Sequence, residues 1–281
     1  MGCSSSLSKE SIQSEEFYMH DAMNIKSEII KNFELEYIPL MYTEKNIMDI
    51  KKILKTNYFS EIDPILVKNL IEEIVCEVDI KKVYFKLMCF FTMYDENKLC
   101  LNRKINRAFR SLDYPSIKNL NYIIAGFIYL FTSEFNSLNN YNQPVYRYTN
   151  INEDTFRKGQ IIYNKTFMFC TVNNNLAPKF DYFKGKNCIL KITPLVFEDQ
   201  SFFFNYISID NTNPFNVGYN QIIFAPFTKF RVNRIYYRNR DLDLHEEDEA
   251  YDVLYVDLEQ LYDIDFLMDM YNKINDINII K

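Results

Sequence analysis

The stretch from Gln143 to Val232 constrains this chain most. It holds QPVYRY (Gln143 to Tyr148), TFMFCTV (Thr166 to Val172), NCILKIT (Asn187 to Thr193) and QIIFAPFTKFRV (Gln221 to Val232), divided by loops rich in Asn, Gly and Pro. Short runs of β-branched and aromatic residues between such breakers predict strands. With no helical period between them, they predict an antiparallel or mixed β core rather than alternating βα units. VLYV (Val253 to Val256) reads as a further strand, with a helix from Leu258 onward. The acidic DLDLHEEDEAYD (Asp241 to Asp252) reads as a solvated hairpin excursion.

The half before Ser133 has a different period. Residues 20 to 34 carry a weak helical repeat, Thr43 and Asp63 are placed as N-caps, and Pro64 follows where a missing N–H costs nothing. PILVKNLIEEIVCEV therefore predicts a helix from Pro64 to Val78, and KKVYFKLMCFFTMY continues as a core-facing helix. LNRKINRAFRSLDYPSIKNLNYIIAGFIYLF predicts two helices broken at Asp113-Tyr114-Pro115. The basic residues Arg103, Lys104, Arg107 and Arg110 read as a solvated helix face. The polar loop Ser133 to Asn142 then separates a helical N-terminal half from a β-rich half, an α+β order.

Net charge −6 and a pI of about 5.2 argue against nucleic acid as a partner. The longest apolar run, Tyr122 to Phe131, is too short to span a bilayer. The start Met-Gly-Cys-Ser-Ser-Ser matches the pattern for myristoylation at Gly2, with Cys3 beside it for palmitoylation, and two acyl chains give stable anchoring. This predicts an acylated flexible tail over 1–16, a membrane as partner and a place on its cytosolic face. Six cysteines without Cys-x-x-Cys spacing suggest neither zinc nor disulfides, and most read as buried thiols. Two histidines leave little material for a triad or a metal centre, so no metal is expected. Five glycines form no phosphate-cradling loop.

Three segments together resemble the catalytic core of the mono-ADP-ribosyltransferases, which split NAD and pass ADP-ribose to a protein side chain. PVYRYTNI is similar to the strand that presents the NAD-binding arginine, here Arg147. FMFCTVNNNLAPKF is similar to the Phe-x-Ser-Thr-Ser strand and following helix, with Ala177 and Phe180 in place. GYNQIIFAPFTKFRV is similar to Glu-x-Glu, an apolar strand, a proline turn and a second strand. Upstream, LNRKINRAFRSLDYPSIKNL is similar to the helices that precede the arginine strand, so the resemblance runs from about Met88 to Val256. It implies an ADP-ribosyltransferase fold with two small sheets around an NAD cleft. The expected organisation is the tail, a helical region 17–87 of unassigned role, and a transferase-like domain 88–281. NAD is the implied substrate, and the loop Ile209 to Asn220 the place where an acceptor or partner protein is held.

The resemblance also implies roles, and most of its chemical positions are substituted. Arg147 falls on the arginine, whose planar fork suits pyrophosphate. Phe169 falls on the catalytic serine, with Cys170 and Thr171 on the next two cofactor-binding positions. Gln221 falls on the catalytic glutamate and Tyr219 on the glutamate two residues earlier. Splitting NAD builds positive charge on the ribose, and a glutamate favours it in the transition state. Gln221 keeps the shape and hydrogen bonding but lacks the charge. The expectation is a membrane-anchored, catalytically impaired protein of this fold. The alternative is an active transferase with an atypical carboxylate, for which Glu247-x-Glu249 is a weak candidate because no proline turn follows it.

Overall fold

The computed structural model describes residues 17–19, 22–32, 48, 50–52, 54–55, 64–92, 101–132, 142–151, 153–172, 187–196, 206–209, 221–240 and 251–279. The helical half supplies α1 (Ala22–Asn32), α2 (Pro64–Val75), α3 (Ile80–Thr92), α4 (Leu101–Ser111), α5 (Tyr114–Asn119) and α6 (Asn121–Thr132). Helix α3 runs through Met88, where the resemblance begins. Helix α2 stops at Val75, short of the expected Val78, because the Glu77 carboxylate accepts from the Val78 and Asp79 N–H groups. Asp79 then caps α3 by accepting from the Lys81 N–H at 2.9 Å. The Thr43 and Asp63 caps lie outside the described residues.

The expected break at Asp113-Tyr114-Pro115 falls earlier. Leu112 takes a left-handed φ of 51°, and the Asp113 N–H donates back to the Ala108 carbonyl at 3.0 Å, closing α4. Tyr114 and Pro115 then start α5, where proline removes only an N–H that the first turn leaves free. The Asp113 carboxylate caps this short helix by accepting from the Ser116 N–H and hydroxyl. Helices α3 and α6 approach closely at Gly126, where an added Cβ would lie 2.1 Å from a Tyr84 ring carbon.

The strands are β1 (Phe17–Tyr18), β2 (Val145–Thr149), β3 (Ile161–Asn164), β4 (Met168–Thr171), β5 (Cys188–Thr193), β6 (Tyr206–Ile209), β7 (Gln221–Phe224), β8 (Lys229–Arg240) and β9 (Tyr251–Gln260). They hydrogen-bond in the order β1-β3-β8-β9-β5-β2-β4-β7-β6, all antiparallel except β5 with β9. The joint between β2 and β4 is one register pair, Tyr146↔Thr171, whereas β2 shares five pairs with β5, and β4 four with β7. Six strands and three strands thus form two parts of one curled nine-stranded sheet, joined at one residue pair. The structure has the expected α+β order, with the two expected sheets fused at that pair. Val145, Ile162, Met168, Leu190, Ile222, Phe224, Phe230 and Val256 fill one core among the strands, and Phe224 meets Phe230 edge-on at 5.4 Å although their strands do not pair. The helices cover the other face of β4 and β7, where Phe167 lies among Phe91, Phe109, Phe127 and Phe131.

Two boundaries at the C-terminal end differ from expectation. Leu258 does not open a helix: β9 continues through it, pairing Leu258 with Val232 and Gln260 with Phe230. The Gln260 side chain also accepts from the Leu195 N–H at 3.0 Å, holding the strand end, and helix α7 (Asp265–Ile279) starts later. The ribbon of β8 and β9 is longer than VLYV alone predicts, reaching Arg240↔Tyr251, with a bulge between Val232 and Arg234. Most of the acidic segment between them lies outside the described residues.

The turn from β7 to β8 carries strain. Phe227 has φ 62°, a conformation rare for a bulky side chain and disfavoured by about 1–3 kcal/mol. Its surroundings fix it: the Phe227 N–H donates to the Asn164 carbonyl at 2.9 Å, the Asn164 side-chain amide donates to the Ala225 carbonyl at 2.8 Å, and the Thr228 hydroxyl donates to the same carbonyl at 2.7 Å.

Candidate functional site

The site is built where the two sheets part. Tyr146 is the β2 residue in register with β4, and Arg147 follows it. Arg147 is half-buried there, and its Nη1 donates to the Phe169 carbonyl at 3.1 Å. The guanidinium therefore stands at the parting of the sheets, held to β4 through its backbone.

Residues paired in register share a face of a sheet, and neighbours along a strand alternate. Tyr146 pairs with Thr171, and Thr171 with Gln221, so these three side chains share one face. Phe169, two residues before Thr171, is on that face as well, with its ring 5.1 Å from Phe91 of α3. Arg147 leaves β2 on the opposite face, the one where Val145 and Leu190 are buried. Arg147, Phe169 and Gln221 thus come from three neighbouring strands. Phe169 and Gln221 are brought onto one surface, and Arg147 reaches β4 around its edge. Cys170 lies 2% exposed in the core among the strands, on the face away from Gln221. Tyr219, the loop from 210 to 220, Glu247, Glu249, Gly2 and Cys3 all lie outside the described residues.

Gln221 is the most informative member. It is half-exposed as a residue, yet its Oε1 is buried and receives no hydrogen bond among the described residues. A buried acceptor without a donor is disfavoured, and Tyr18, Asn106 and Asn164 each carry a buried polar atom of the same kind. Phe169 presents no hydrogen-bonding group to Gln221 and adds its ring to the aromatic cluster behind β4.

The register brings in a residue that the motifs do not single out. Lys191 on β5 pairs with Tyr146, so the row Lys191, Tyr146, Thr171, Gln221 crosses four strands on one face. The signal in the sequence is a lone lysine in CILKIT, whose neighbours Leu190 and Ile192 are fully buried while Lys191 is not. Further along this row, Asp257 accepts from the Tyr236 hydroxyl at 3.3 Å. Burial, then the Asp257 charge, push the Tyr236 hydroxyl above its ordinary pKa.

Lys191 shares the Gln221 face, with Asp257 in register beside it, whereas Arg147 carries its positive charge on the opposite face at the same strand junction. Among the described residues no group of three or more His, Cys, Asp and Glu could hold a metal ion. Cys89, Cys170 and Cys188 are buried thiols as expected, whereas Cys76 is exposed. No described helix is long and apolar enough to cross a membrane.

No protein-family model matches this chain, and no curated protein matches it. Among solved structures it is similar to the enzymatic component C2-I of the C2 toxin of Clostridium botulinum, at 13% identity over 73% of this chain and a TM-score of 0.44; the match spans 45% of that chain. It is also similar to Plx2a, an ADP-ribosyltransferase toxin from Paenibacillus larvae, at 10% identity over 80% of this chain and 100% of the other, with a TM-score of 0.42. A third is exoenzyme S of Pseudomonas aeruginosa, solved with carba-NAD, at 14% identity over 78% and 92% of the two chains, with a TM-score of 0.43.

Proposed function

We propose that this protein is a mono-ADP-ribosyltransferase-like protein that holds NAD at the parting of its two sheets and transfers ADP-ribose poorly, while N-terminal acylation keeps it at the cytosolic face of a membrane. The observation that carries the reading is Gln221. It stands at the start of β7, in register with Thr171 on β4, and its buried carbonyl oxygen lacks a donor.

Each residue then has a bounded role. Arg147, pre-oriented by the Phe169 carbonyl, attracts the pyrophosphate. Gln221 Oε1 accepts from a ribose hydroxyl and orients the sugar. What Gln221 does not supply is negative charge facing the oxocarbenium-like ribose as the nicotinamide bond breaks. Losing one such preorganised stabiliser lowers rates by roughly a hundredfold to a thousandfold. Phe169 removes the hydroxyl that would orient the sugar, and Tyr219 replaces a carboxylate at the acceptor side. Losses within one catalytic unit do not multiply, so a single penalty of about 3 to 4 kcal/mol is the estimate to hold. Acceptor or partner recognition is assigned to the loop Ile209 to Asn220.

The test is restorative. Combining Phe169→Ser, Tyr219→Glu and Gln221→Glu is expected to raise NAD cleavage measurably, and adding Arg147→Ala to abolish the gain. A folded triple variant with no gain would contradict the role given to Gln221. For anchoring, alkyne myristate and alkyne palmitate are expected to label the wild type, with Gly2→Ala losing both; a wild type that takes up neither label in a competent host removes the membrane assignment.

A further inference from the structure

The N-terminal strand β1 touches the site's framework at one point. Phe17 pairs with Asn164 and Tyr18 with Tyr163, closing the β3 edge of the larger sheet. Although β1 has two residues, both are nearly buried: Phe17 lies edge-on to Phe156 at 5.7 Å, and Tyr18 stacks on Phe227 at 5.5 Å. The Lys165 ammonium stands 5.0 Å from the centre of the Tyr18 ring, and the Gln160 side chain donates to the Met19 sulfur at 3.2 Å. Just beyond, α1 is tied down by the Lys26–Asp265 pair and by the Tyr114 hydroxyl donating to Glu28.

Phe227 is the left-handed residue of the turn that follows the Gln221 strand, and its other neighbour is Phe266 of α7, 4.8 Å away. Its N–H bonds to Asn164, the same residue that pairs with Phe17. One strand end, one strained turn and one asparagine therefore form a single unit.

We propose that Tyr18 is a positioning residue for the site: its ring clamps Phe227 in the left-handed conformation and so fixes the turn that sets β7, and with it Gln221, against β4. The clamp works through the ring and not the hydroxyl. The Tyr18 hydroxyl is buried without a hydrogen-bond partner among the described residues, so it contributes nothing that phenylalanine would lack. The N-terminal segment is then part of the working domain, although in the sequence it reads as the start of a helical region of unassigned role. The inference rests on the placement of Gln221 in the proposed site, but the clamp itself is a statement about β7 and can be read without any ligand.

Hydrogen exchange on the full chain tests it. In Tyr18→Ala the amides of Ile222, Ile223, Phe224 and Phe227 are expected to exchange about tenfold faster, with β5 and β9 unchanged, and Tyr18→Phe is expected to match the wild type. Tyr18→Leu, which keeps apolar bulk but not the flat ring, gives the same local pattern at smaller amplitude if Tyr18→Ala does not fold. Uniformly faster exchange across β5, β7 and β9 would assign Tyr18 a merely structural role and overturn the proposal. So would unchanged exchange at β7, or loss of protection in Tyr18→Phe. A calorimetric titration of wild type with NAD is the separate arm: absent binding would defeat the proposed function and leave the exchange result standing.

Discussion

The two ends of β4 are built from different chemistry, although Phe167, Phe169 and Gln221 share the helix-covered face of the sheet. Behind the strand, Phe167 is fully buried, and rings of Phe91, Phe109, Phe127 and Phe131 surround it at 5.6 to 6.1 Å. One polar group enters there, Asn106, whose amide donates to the Phe167 carbonyl at 3.0 Å. At the strand's other end, the sheets are joined by a single pair, a guanidinium bonds the β4 backbone, and a buried acceptor on Gln221 has no donor. The first region is organised for packing. The second sets a guanidinium beside a single register pair; a buried acceptor without a donor occurs in both, at Asn106 and at Gln221.

Breaking the packed side should have the largest effect. Phe167→Ala is expected to lower stability by about 3–5 kcal/mol, since a fully buried ring leaves a cavity in a rigid aromatic shell. Urea denaturation checks it, and a loss under 1 kcal/mol would show that the cluster repacks. Gly126→Ala comes next: a Cβ at 2.1 Å from the buried Tyr84 ring forces α3 and α6 apart, at about 1–3 kcal/mol or more. Pairing it with Tyr84→Ala should recover part of the loss, and a strictly additive double variant would contradict the clash.

Smaller effects sharpen the contrast. Asn106→Ala should lower stability by about 1–3 kcal/mol, because the Phe167 carbonyl loses the closer of its two side-chain donors in a buried site and keeps only the Thr166 hydroxyl at 3.5 Å. Tyr18 gives the smallest effect near neutral pH and a signature at high pH. Burial first, then Tyr114, raise its hydroxyl to about 12 from the ordinary 10.0. The unfolded chain loses this proton near pH 10 while the folded protein keeps it. The stability from burying the neutral ring is therefore complete below pH 10 and falls as pH rises through about 12. Tyr18→Phe should match the wild type within about 0.5 kcal/mol at pH 7 and resist alkaline unfolding better. Identical alkaline transitions in the two proteins would show that Tyr18 is not the group responsible.

How much of this was legible in the sequence differs between the same regions. The long periodic helices follow from apolar spacing, so PILVKNLIEEIV and KKVYFKLMCFFT read directly, whereas the short strands β3 and β6 are not singled out. Nor is strand β1, since two residues carry no period and their burial comes from partners more than a hundred residues away. The start of α7 was misplaced because Leu258 to Gln260 are held in a strand by pairing with β8, which composition does not reveal. At the site, motif resemblance singles out Arg147, Phe169 and Gln221. Which of them share a face, and that Lys191 joins their row, depends on register, a property of paired strands and not of any one of them.

The central claim is that a neutral Gln221 leaves the transfer chemistry without its charge. It is tested most directly by incubating the purified protein with labelled NAD and an arginine-containing acceptor, wild type beside Gln221→Ala. The account predicts little or no label on protein from either. Label transferred by the wild type at rates ordinary for enzymes, and undiminished in Gln221→Ala, would contradict it and point to a different carboxylate as the catalytic group.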